Sequence, residues 1–432
     1  MTEGFSTNSA ALSASGKKLE LLAPAGGMDQ LRYAIYYGAD AVYMGADRFG
    51  LRQRATNFSL ESIPDAVEFA HGHGVDVHVT CNTLMSGEDL DTLPEYAEAL
   101  AQAGVDAAIV SDLGALRVIK KHAPELEVHV STQASCANAQ SALTWYELGA
   151  RRIVCAREMS LEDISRMRKQ IPDDLEIEIF AHGAMCMAIS GRCLISDYLT
   201  GRSGNKGACT QPCRWKYALQ EEYRPGQYFP VEEDSNGSYI MNAKDMNMLS
   251  HLDAIREAGV DSIKIEGRNK KAFYVATVVN AYRQVLDGAD PVIFQQELDK
   301  ISHRPYGTGF YFGRAEQAPE QSGYLQEYLH VATVEDCKQL EDGRFETAFR
   351  CHNRIRVQDE IEIVSPHRPV YTLTVEGLKW QKGETNIEDV DVANRSMERY
   401  FFVSDYEFHK HDLIRMKKEE KPQSEAHKTL EN

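Results

Sequence analysis

One pattern repeats along the first two-thirds of the chain and restricts its fold more than any other feature. A short apolar run ends in a polar residue, a helical stretch follows, and a glycine precedes the next apolar run. Glycine is common just after a helix because it reaches positive φ without a Cβ clash. The apolar runs are continuous, as is typical of strands buried on both faces of a parallel sheet. The repeat therefore predicts alternating strands and helices.

The number of predicted strands decides the architecture. The eight runs are LELLAPA, DAVYMGA, VDVHVTCN, AAIVSD, LEVHVSTQ, RRIVCARE, LEIEIFAHG and DSIKIEGR. The glycines expected to end the intervening helices are Gly38, Gly74, Gly104, Gly149 and Gly259. Eight such units favour an α/β fold that closes as a (β/α)8 TIM-like barrel. A doubly wound sheet is the alternative, but no GxGxxG motif follows the first strand.

The pattern changes after about residue 320, which indicates a second domain. RFETAFR, DEIEIVS and VYTLTVEGL are short alternating runs separated by Gly, Pro and Asn, and they predict antiparallel strands. We expect a TIM-like barrel over residues 18–320 and a small antiparallel β-barrel domain over 322–416. A cysteine-rich insertion over 183–243 separates the seventh and eighth barrel strands. Polar or charged tails, expected to be disordered, cover 1–17 and 417–432.

Polar residues follow the predicted barrel strands. Barrel enzymes place their chemistry at the carboxyl ends of the strands. The residues at those ends are Asn82, Asp112, Gln133, Arg157, Glu158, His182, Glu266 and Arg268. Any one of them alone is better explained as a loop hydrogen bond or a rim ion pair. Together they predict a site at one mouth of the barrel.

Four of the nine cysteines fall in one part of the insertion, as C-x6-C-x15-C-x3-C: Cys186, Cys193, Cys209 and Cys213. Structural zinc sites usually consist of two close pairs, and only the last two thiols form one. Four thiolates also hold iron–sulfur clusters, whose spacing is less regular. The spacing favours iron–sulfur over a zinc-stabilised scaffold. Four unrelated buried thiols are the least favoured explanation, although burial is our expectation for the other five cysteines.

Charge and motifs exclude several classes of protein. The net charge of −18 and a pI near 5.3 oppose general nucleic-acid binding. No acidic residue occurs between Tyr198 and Gln220, however, and that stretch holds Arg202, Lys206, Arg214, Trp215 and Lys216. The peptidase motifs HExxH and GxSxG are absent. No apolar run approaches the ~18 residues of a membrane span and no secretory signal is evident, so we expect a cytoplasmic protein without membrane contact.

Longer motifs carry a specific resemblance. EIFAHGAMCMAISGRCLIS, over residues 178–196, resembles the signature of the peptidase U-32 (collagenase-like) family. YGADAVYMG, STQASCAN, GACTQPCRWKY and SIKIEGR extend the resemblance along nearly the whole chain. Within the family the chain is most similar to the prephenate-dependent tRNA uridine hydroxylases. Related branches hydroxylate a cytidine of 23S rRNA or act in oxygen-independent ubiquinone synthesis.

The resemblance implies a reaction and its components. The reaction is hydroxylation of the wobble uridine of tRNA to 5-hydroxyuridine, with prephenate or a related shikimate-pathway acid as the oxygen donor. The resemblance also implies a [4Fe–4S] cluster on the four clustered cysteines, Cys186, Cys193, Cys209 and Cys213. A paralogous U-32 subunit is left open as a further partner. The alternatives are a collagenase-like peptidase and a hydroxylase of an rRNA cytidine or a quinone precursor.

Residue chemistry then suggests individual roles. Arginine suits a dicarboxylate such as prephenate, so the substrate-binding candidates are Arg157, Arg192 and Arg268, with Arg52 and Arg54 as weaker ones. The proton-transfer candidates are His182, Glu178 and Glu266. Gln133 is a further substrate-binding candidate, and Trp215 and Tyr217, with the basic loop before them, are candidates for stacking on a splayed base. The competing explanations are salt bridges for the arginines and core packing for Trp215.

Overall fold

The computed structural model describes residues 18–51, 57–185, 190–191, 193–215, 218–220, 228–230, 244–313, 315–316, 324–383 and 386–418. The chain divides into two compact units, 1–325 and 326–432. The predicted tail over 1–17 lies outside the described residues, as does the part of the second tail from 419 onward. None of the helices in the described ranges combines the length and apolar character that a bilayer crossing needs.

Within the described residues, the first unit contains the eight predicted strands in their predicted order and four further short strands. They are β1 (Glu20–Ala25), β2 (Ala41–Gly45), β3 (Asp76–Cys81), β4 (Ala107–Val110), β5 (Glu127–Val130), β6 (Arg152–Val154), β7 (Glu176–Gly183), β8 (Ala218–Gln220), β9 (Tyr228–Pro230), β10 (Asp245–Asn247), β11 (Ser262–Ile265) and β12 (Tyr306–Gly307). Strands β1 to β7 pair in sequence, each parallel to the next, and β11 pairs with both β1 and β7. This closure confirms the predicted eight-stranded TIM-like barrel.

Helices alternate with the barrel strands. They are α1 (Met28–Tyr36), α2 (Ile63–His71), α3 (Gly87–Gln102), α4 (Leu113–His122), α5 (Ala139–Glu147), α6 (Leu161–Arg168), α7 (Ile195–Thr200), α8 (Leu252–Glu257), α9 (Ala272–Leu286) and α10 (Pro291–Asp299). Side-chain oxygens cap several N-termini and so satisfy N–H groups that have no partner within the helix. Ser86 and Asp89 form a capping box on α3, and Asp112 caps α4.

The predicted glycine junctions are present. All five of those glycines have φ between 71° and 103°. At Gly38 a close contact adds to this conformational requirement, because a Cβ there would lie 2.6 Å from Cγ of Arg283 on α9. Glycine at this position therefore fits both the turn and the close approach of the Arg283 side chain.

Strand β10 extends the sheet beyond the barrel and has no counterpart among the predicted strands. It pairs antiparallel with the end of β7, where Met246 lies opposite Gly183 and Asn247 opposite His182. β12 in turn pairs parallel with β10. A strand of three residues is too short to show the apolar periodicity from which strands are predicted.

The barrel interior contains an ion cluster formed by Glu20, Arg152, Glu176, Glu178 and Lys264. Arg152 donates to Glu20 at 2.6 Å, to Glu176 at 2.7 Å and to Glu178 at 3.2 Å. The Lys264 ammonium donates to the second oxygen of Glu178 at 2.8 Å. Burial alone would raise the pKa of Glu20, but the charge and hydrogen bonds of Arg152 outweigh it and lower that pKa to about 2. These opposite charges satisfy one another in place of water.

The second unit is an antiparallel β domain, as predicted. Its strands are β13 (Tyr328–Gln339), β14 (Phe345–Cys351), β15 (Ile355–Arg356), β16 (Glu360–Val364), β17 (Tyr371–Thr374), β18 (Leu378–Lys382), β19 (Asn386–Val390), β20 (Val392–Ala393), β21 (Arg399–Ser404) and β22 (Leu413–Lys417). One sheet has the order β17-β16-β22-β13-β14-β21-β18-β19, and β15 pairs with β20. Phe349, Tyr400, Phe402 and Phe408 lie in its core. β22 ends at Lys417, one residue beyond the predicted end of the β domain at residue 416.

Candidate active site at the barrel mouth

A cavity of about 150 Å³ lies at the carboxyl ends of the barrel strands. Its lining contains residues from the insertion and from the strand ends, among them Asn82, Gln133, Arg157, Cys193, Cys209, Cys213, Glu266 and Arg268. Apolar side chains complete the wall, including Ile109, Val154 and Phe180. Charged and apolar groups that face one enclosed space are typical of a small-molecule site. We call this space the mouth cavity.

Three of the four clustered cysteines line the mouth cavity. Cys193, Cys209 and Cys213 are partly exposed, and none of the three is in a disulfide. The backbone N–H of Gln211 donates to Sγ of Cys209 at 3.3 Å. Cys186 lies outside the described residues. Within the described ranges, no three or more His, Cys, Asp or Glu side chains are grouped closely enough to hold a metal ion.

Ser190 and Gly191 attach the cysteine segment to the barrel. Glu158 accepts hydrogen bonds from the Ser190 backbone N–H at 2.9 Å and from its hydroxyl at 3.0 Å, and the Ser135 hydroxyl donates to the Ser190 carbonyl. Gly191 has φ of +72°, and a Cβ there would lie 2.0 Å from the carbonyl oxygen of Gln133. Only glycine permits so close an approach, which brings the segment against the end of β5.

Arg157 is held rigidly in the wall of the cavity. Its Nη2 donates to Oε2 of Glu266 at 3.1 Å and its Nη1 donates to the Ala184 carbonyl at 2.6 Å. The guanidinium also lies 3.9 Å from the ring centroid of Phe180, which is a cation–π contact. A salt bridge was the alternative to substrate binding for this arginine, and the structure shows one to Glu266. The two functions are compatible, because a guanidinium has five N–H donors.

Arg268 enters the cavity through a gap left by a glycine. Its Nη1 donates to the Thr80 hydroxyl at 2.6 Å, and 3% of the residue is exposed. A Cβ on Gly45 would lie 2.3 Å from that same nitrogen. The absence of a side chain at Gly45 therefore decides where the guanidinium lies.

Other lining residues were missed by sequence reasoning, namely Tyr43, Thr80 and Lys264. Each lies inside a strand rather than at its end. Lys264 alternates with Ile263 and Ile265, and its ammonium lies 4.3 Å from the ring centroid of Tyr43. A charged residue inside an otherwise apolar parallel strand was the available signal, because burial of such a charge requires a partner.

Two predicted catalytic residues are not among the residues that line the mouth cavity. Glu178 is fully buried in the interior ion cluster. His182 is 1% exposed, and its ring centroid lies 5.6 Å from that of Tyr282 and 5.4 Å from that of Tyr306. Of the three proton-transfer candidates, Glu266 is the one in the lining. The structure therefore brings Glu266 to the site and gives the other two packing and charge-pairing partners.

His182 is expected to make stability depend on pH. Burial, followed by the charges of His303 and Lys270, lowers its pKa from 6.5 to about 3. Between these two values His182 binds a proton in the unfolded chain but not in the folded one. Its contribution to stability is therefore fully present above about pH 6.5 and is lost as pH falls toward 3. Between about pH 7.5 and 5.5 we expect His182 to cost about 1.4 kcal/mol of unfolding free energy.

Urea unfolding at those two pH values measures this loss. His182→Gln should reduce the pH dependence by that amount, while the same change at the exposed His73 should leave it unaltered. An unchanged pH dependence in His182→Gln would contradict the assigned cause.

Of the remaining substrate-binding candidates, one is an exposed side chain and the others lie outside the described residues. Trp215 follows a 3-10 turn, Pro212–Arg214, and is 44% exposed. It therefore does not pack in the core, which was the competing explanation. Arg192 lies outside the described residues, as do Arg52, Arg54 and Tyr217.

Known proteins named for three different activities are similar in sequence to this chain. The tRNA hydroxylation protein P1 of Bacillus subtilis is 36% identical over 408 residues, which cover 92% of this chain and 95% of that protein. The 23S rRNA 5-hydroxycytidine C2501 synthase of Escherichia coli is 40% identical over 276 residues, 64% of this chain and 40% of that one. A collagenase of Porphyromonas gingivalis is 30% identical over 384 residues, which cover 84% of this chain and 90% of that protein.

Family models match both units. The model of peptidase family U32 matches residues 26–321, and that of the peptidase family U32 C-terminal domain matches 326–415. The two matches together span the barrel and the antiparallel β domain. The chain therefore belongs to peptidase family U32.

Proposed function

We propose that this protein hydroxylates the wobble uridine of tRNA to 5-hydroxyuridine, using a [4Fe–4S] cluster and prephenate as the oxygen donor. The observation that carries the proposal is the mouth cavity, where three thiols of the cysteine cluster and two buried guanidinium groups line one space. The near full-length similarity to a tRNA hydroxylation protein gives the reaction class.

The extent of the similarity favours tRNA over rRNA. The match to the tRNA hydroxylation protein covers more than nine-tenths of both chains. The match to the rRNA enzyme is confined to 64% of this chain and 40% of that enzyme. Because substrate choice depends on surfaces outside the reacting centre, agreement over the whole chain is the better guide to the RNA recognised.

The cluster would be held by Cys186, Cys193, Cys209 and Cys213. Thiolates are the usual ligands of iron–sulfur clusters, and three of these four side chains line the cavity. A bound cluster would supply electrons and a Lewis-acidic iron. The glycine contact at Gly191 and the bonds to Ser190 would fix the segment on the barrel.

Prephenate fits the remaining chemistry of the wall. It is a dicarboxylate built on a hydrocarbon ring that bears one hydroxyl group, and the guanidinium groups of Arg157 and Arg268 suit carboxylates. The ring finds apolar surface on Ile109, Val154 and Phe180. Hydroxylation at C5 of uracil releases the hydrogen of that carbon, and Glu266 is the described carboxylate in the lining that would accept a proton.

The insertion also offers a surface to a single-stranded anticodon loop. Tyr198 on α7 is 87% exposed and Trp215 is 44% exposed, so both rings are open to stacking. Arg202, which lies between them in the sequence, is exposed as well. A local basic and aromatic surface would overcome the repulsion expected from the net charge of −18.

The deciding experiment is anaerobic purification with iron and sulfide analysis, joined to nucleoside mass spectrometry of tRNA from a deletion strain. We expect about four irons and four sulfides per chain and the loss of 5-hydroxyuridine derivatives from tRNA. Unchanged wobble uridines would refute the tRNA assignment. One zinc without iron would favour the scaffold, and gelatin digestion by cluster-free protein would favour the peptidase.

Gly45→Ala is expected to impair hydroxylation with little loss of stability. The new methyl group would displace the Arg268 guanidinium from Thr80, while a flexible side chain can yield without disturbing the fold. Misplacing a binding group by about 1 Å costs up to about a hundredfold in rate, and we expect about ten- to a hundredfold.

Measurement of 5-hydroxyuridine formation beside urea unfolding checks this result. Gly87→Ala is the matched control, since nothing lies within 4 Å of a Cβ at that position. Normal activity in Gly45→Ala would show that the position of the Arg268 guanidinium is unimportant.

A further inference from the structure

A second cavity adjoins the mouth cavity. It measures about 290 Å³ and shares Asn82, Gln133, Gly191 and Asn205 with its neighbour. Its own lining includes Leu84, Leu113 and Trp145, and the two leucines are 59% and 54% exposed. Polar side chains, among them Ser111 and Asp112, share this lining with the apolar ones. A space that offers both apolar or aromatic surface and polar groups suits a nucleobase, which has apolar faces and a hydrogen-bonding edge.

Asn82 stands at the boundary of the two cavities with a fixed orientation. Its Oδ1 accepts the backbone N–H of Leu51 at 3.2 Å, and its Nδ2 donates to the Ser131 hydroxyl at 3.2 Å. A backbone N–H can only donate, so the amide oxygen must face Leu51. Rotating the amide would set its NH2 group against that N–H. The nitrogen is therefore held toward Ser131, which is 2% exposed at the end of β5.

One hydrogen of this amide has no acceptor among the described residues and is available to a ligand. Nδ2 carries two hydrogens, Ser131 accepts one, and the described residues make no other hydrogen bond with the Asn82 side chain. Asn82 thus presents a donor hydrogen at the boundary of the cavities, while its oxygen is turned toward the Leu51 N–H. The Gln133 side-chain amide makes no hydrogen bond with the described residues, so it can rotate to suit a ligand.

A fixed donor distinguishes the two pyrimidines. Uracil, like thymine, carries a carbonyl oxygen at position 4, whereas cytosine carries an amino group there. The Asn82 donor would satisfy the first and would face another donor in the second. Sites that leave a buried polar group unpaired reject the wrong ligand strongly. Position 4 is also the neighbour of C5, so a hydrogen bond there would position the reacting carbon.

We propose that Asn82 is a specificity-determining residue, which donates its Nδ2 hydrogen to O4 of the target uracil and thereby excludes cytosine. The inference rests on the proposed function. It adds to that function the group that reads the base.

Asn82→Asp tests this inference with minimal change of shape. One carboxylate oxygen can still accept the Leu51 N–H, and the other can accept from the Ser131 hydroxyl. The variant then offers the cavity lone pairs in place of a hydrogen, which suits the amino group of cytosine. Asn138→Asp is the matched control, because Asn138 caps α5 away from both linings and aspartate caps equally well.

The assay uses a strain that makes no 5-hydroxyuridine of its own. It expresses the full-length wild type or a variant, together with one substrate tRNA carrying uridine or cytidine at the wobble position. Mass spectrometry of the isolated tRNA gives the ratio of 5-hydroxyuridine to 5-hydroxycytidine. We expect a large ratio for the wild type and for Asn138→Asp, and a ratio lowered about ten- to a hundredfold in Asn82→Asp.

The outcomes distinguish failure of base reading by Asn82 from failure of the proposed hydroxylase function. A general loss of stability would lower both products and leave the ratio unchanged, so the ratio reports base reading alone. Modification by the wild type with the same ratio in Asn82→Asp would overturn the inference and leave the proposed function intact. No 5-hydroxyuridine with the wild type would overturn both.

Discussion

Cys209→Ser is expected to abolish 5-hydroxyuridine formation and to yield protein that has lost most of its iron and sulfide. Serine matches the size of cysteine but replaces a soft, polarisable thiolate with a hard oxygen that binds iron–sulfur clusters poorly. Sγ of Cys209 also accepts the N–H of Gln211, a contact that helps to orient the sulfur. Iron and sulfide analysis of anaerobic protein, with nucleoside profiling of tRNA, measures both losses.

A thiol in the β domain supplies the control for this experiment. Cys337 is half-buried on β13, 3.6 Å from the Thr347 hydroxyl, and has no part in the mouth cavity. Cys337→Ser should retain iron, sulfide and activity. Full iron content in Cys209→Ser would show that this thiol is not a ligand. Lost activity with full iron content would assign Cys209 another role.

Glu178→Ala is expected to destabilise the fold by about 3–5 kcal/mol, as is typical when one partner of a buried ion pair is removed. The change would leave the Lys264 ammonium, 4% exposed, without its carboxylate and would deprive Arg152 of one of three. Water cannot replace the lost charge inside the barrel. Urea or thermal unfolding at neutral pH gives the size of the effect.

Two further variants separate a structural role of Glu178 from a catalytic one. Glu162→Ala removes an exposed partner of Arg166 on α6 and should cost less than about 1 kcal/mol. Glu178→Gln keeps an oxygen for Lys264 and should recover part of the stability. Lost hydroxylation in Glu178→Ala at unchanged stability would support the catalytic role predicted from the sequence and would refute the structural one.

Most of the barrel followed from local pattern. The apolar runs and the junction glycines predicted the eight strands in order. Both signals, the run of buried residues and the glycine with positive φ, depend only on residues close together in the chain. Strand β10 escaped prediction because three residues carry no period. The antiparallel character of the second unit was equally visible in short alternating runs.

Only some residues of the candidate site could be predicted from the sequence. Strand-end position predicted that Asn82, Gln133, Arg157, Glu266 and Arg268 would meet, and they line one cavity. The same rule also selected His182, which packs instead among tyrosine rings. Position at a strand end does not decide which way a side chain points, because the register of the neighbouring strands shifts between Lys264 and Ile265.

The sequence by itself determined the family, the barrel with its β domain, and the concentration of thiols in one insertion, since each of these depends on residues close together in the chain. Only the tertiary structure decided that Glu178 belongs to an ion cluster, that Gly45 makes room for Arg268, and that Leu51 fixes the amide of Asn82. Those facts depend on distances between residues remote in sequence, and such distances exist only once the barrel has closed.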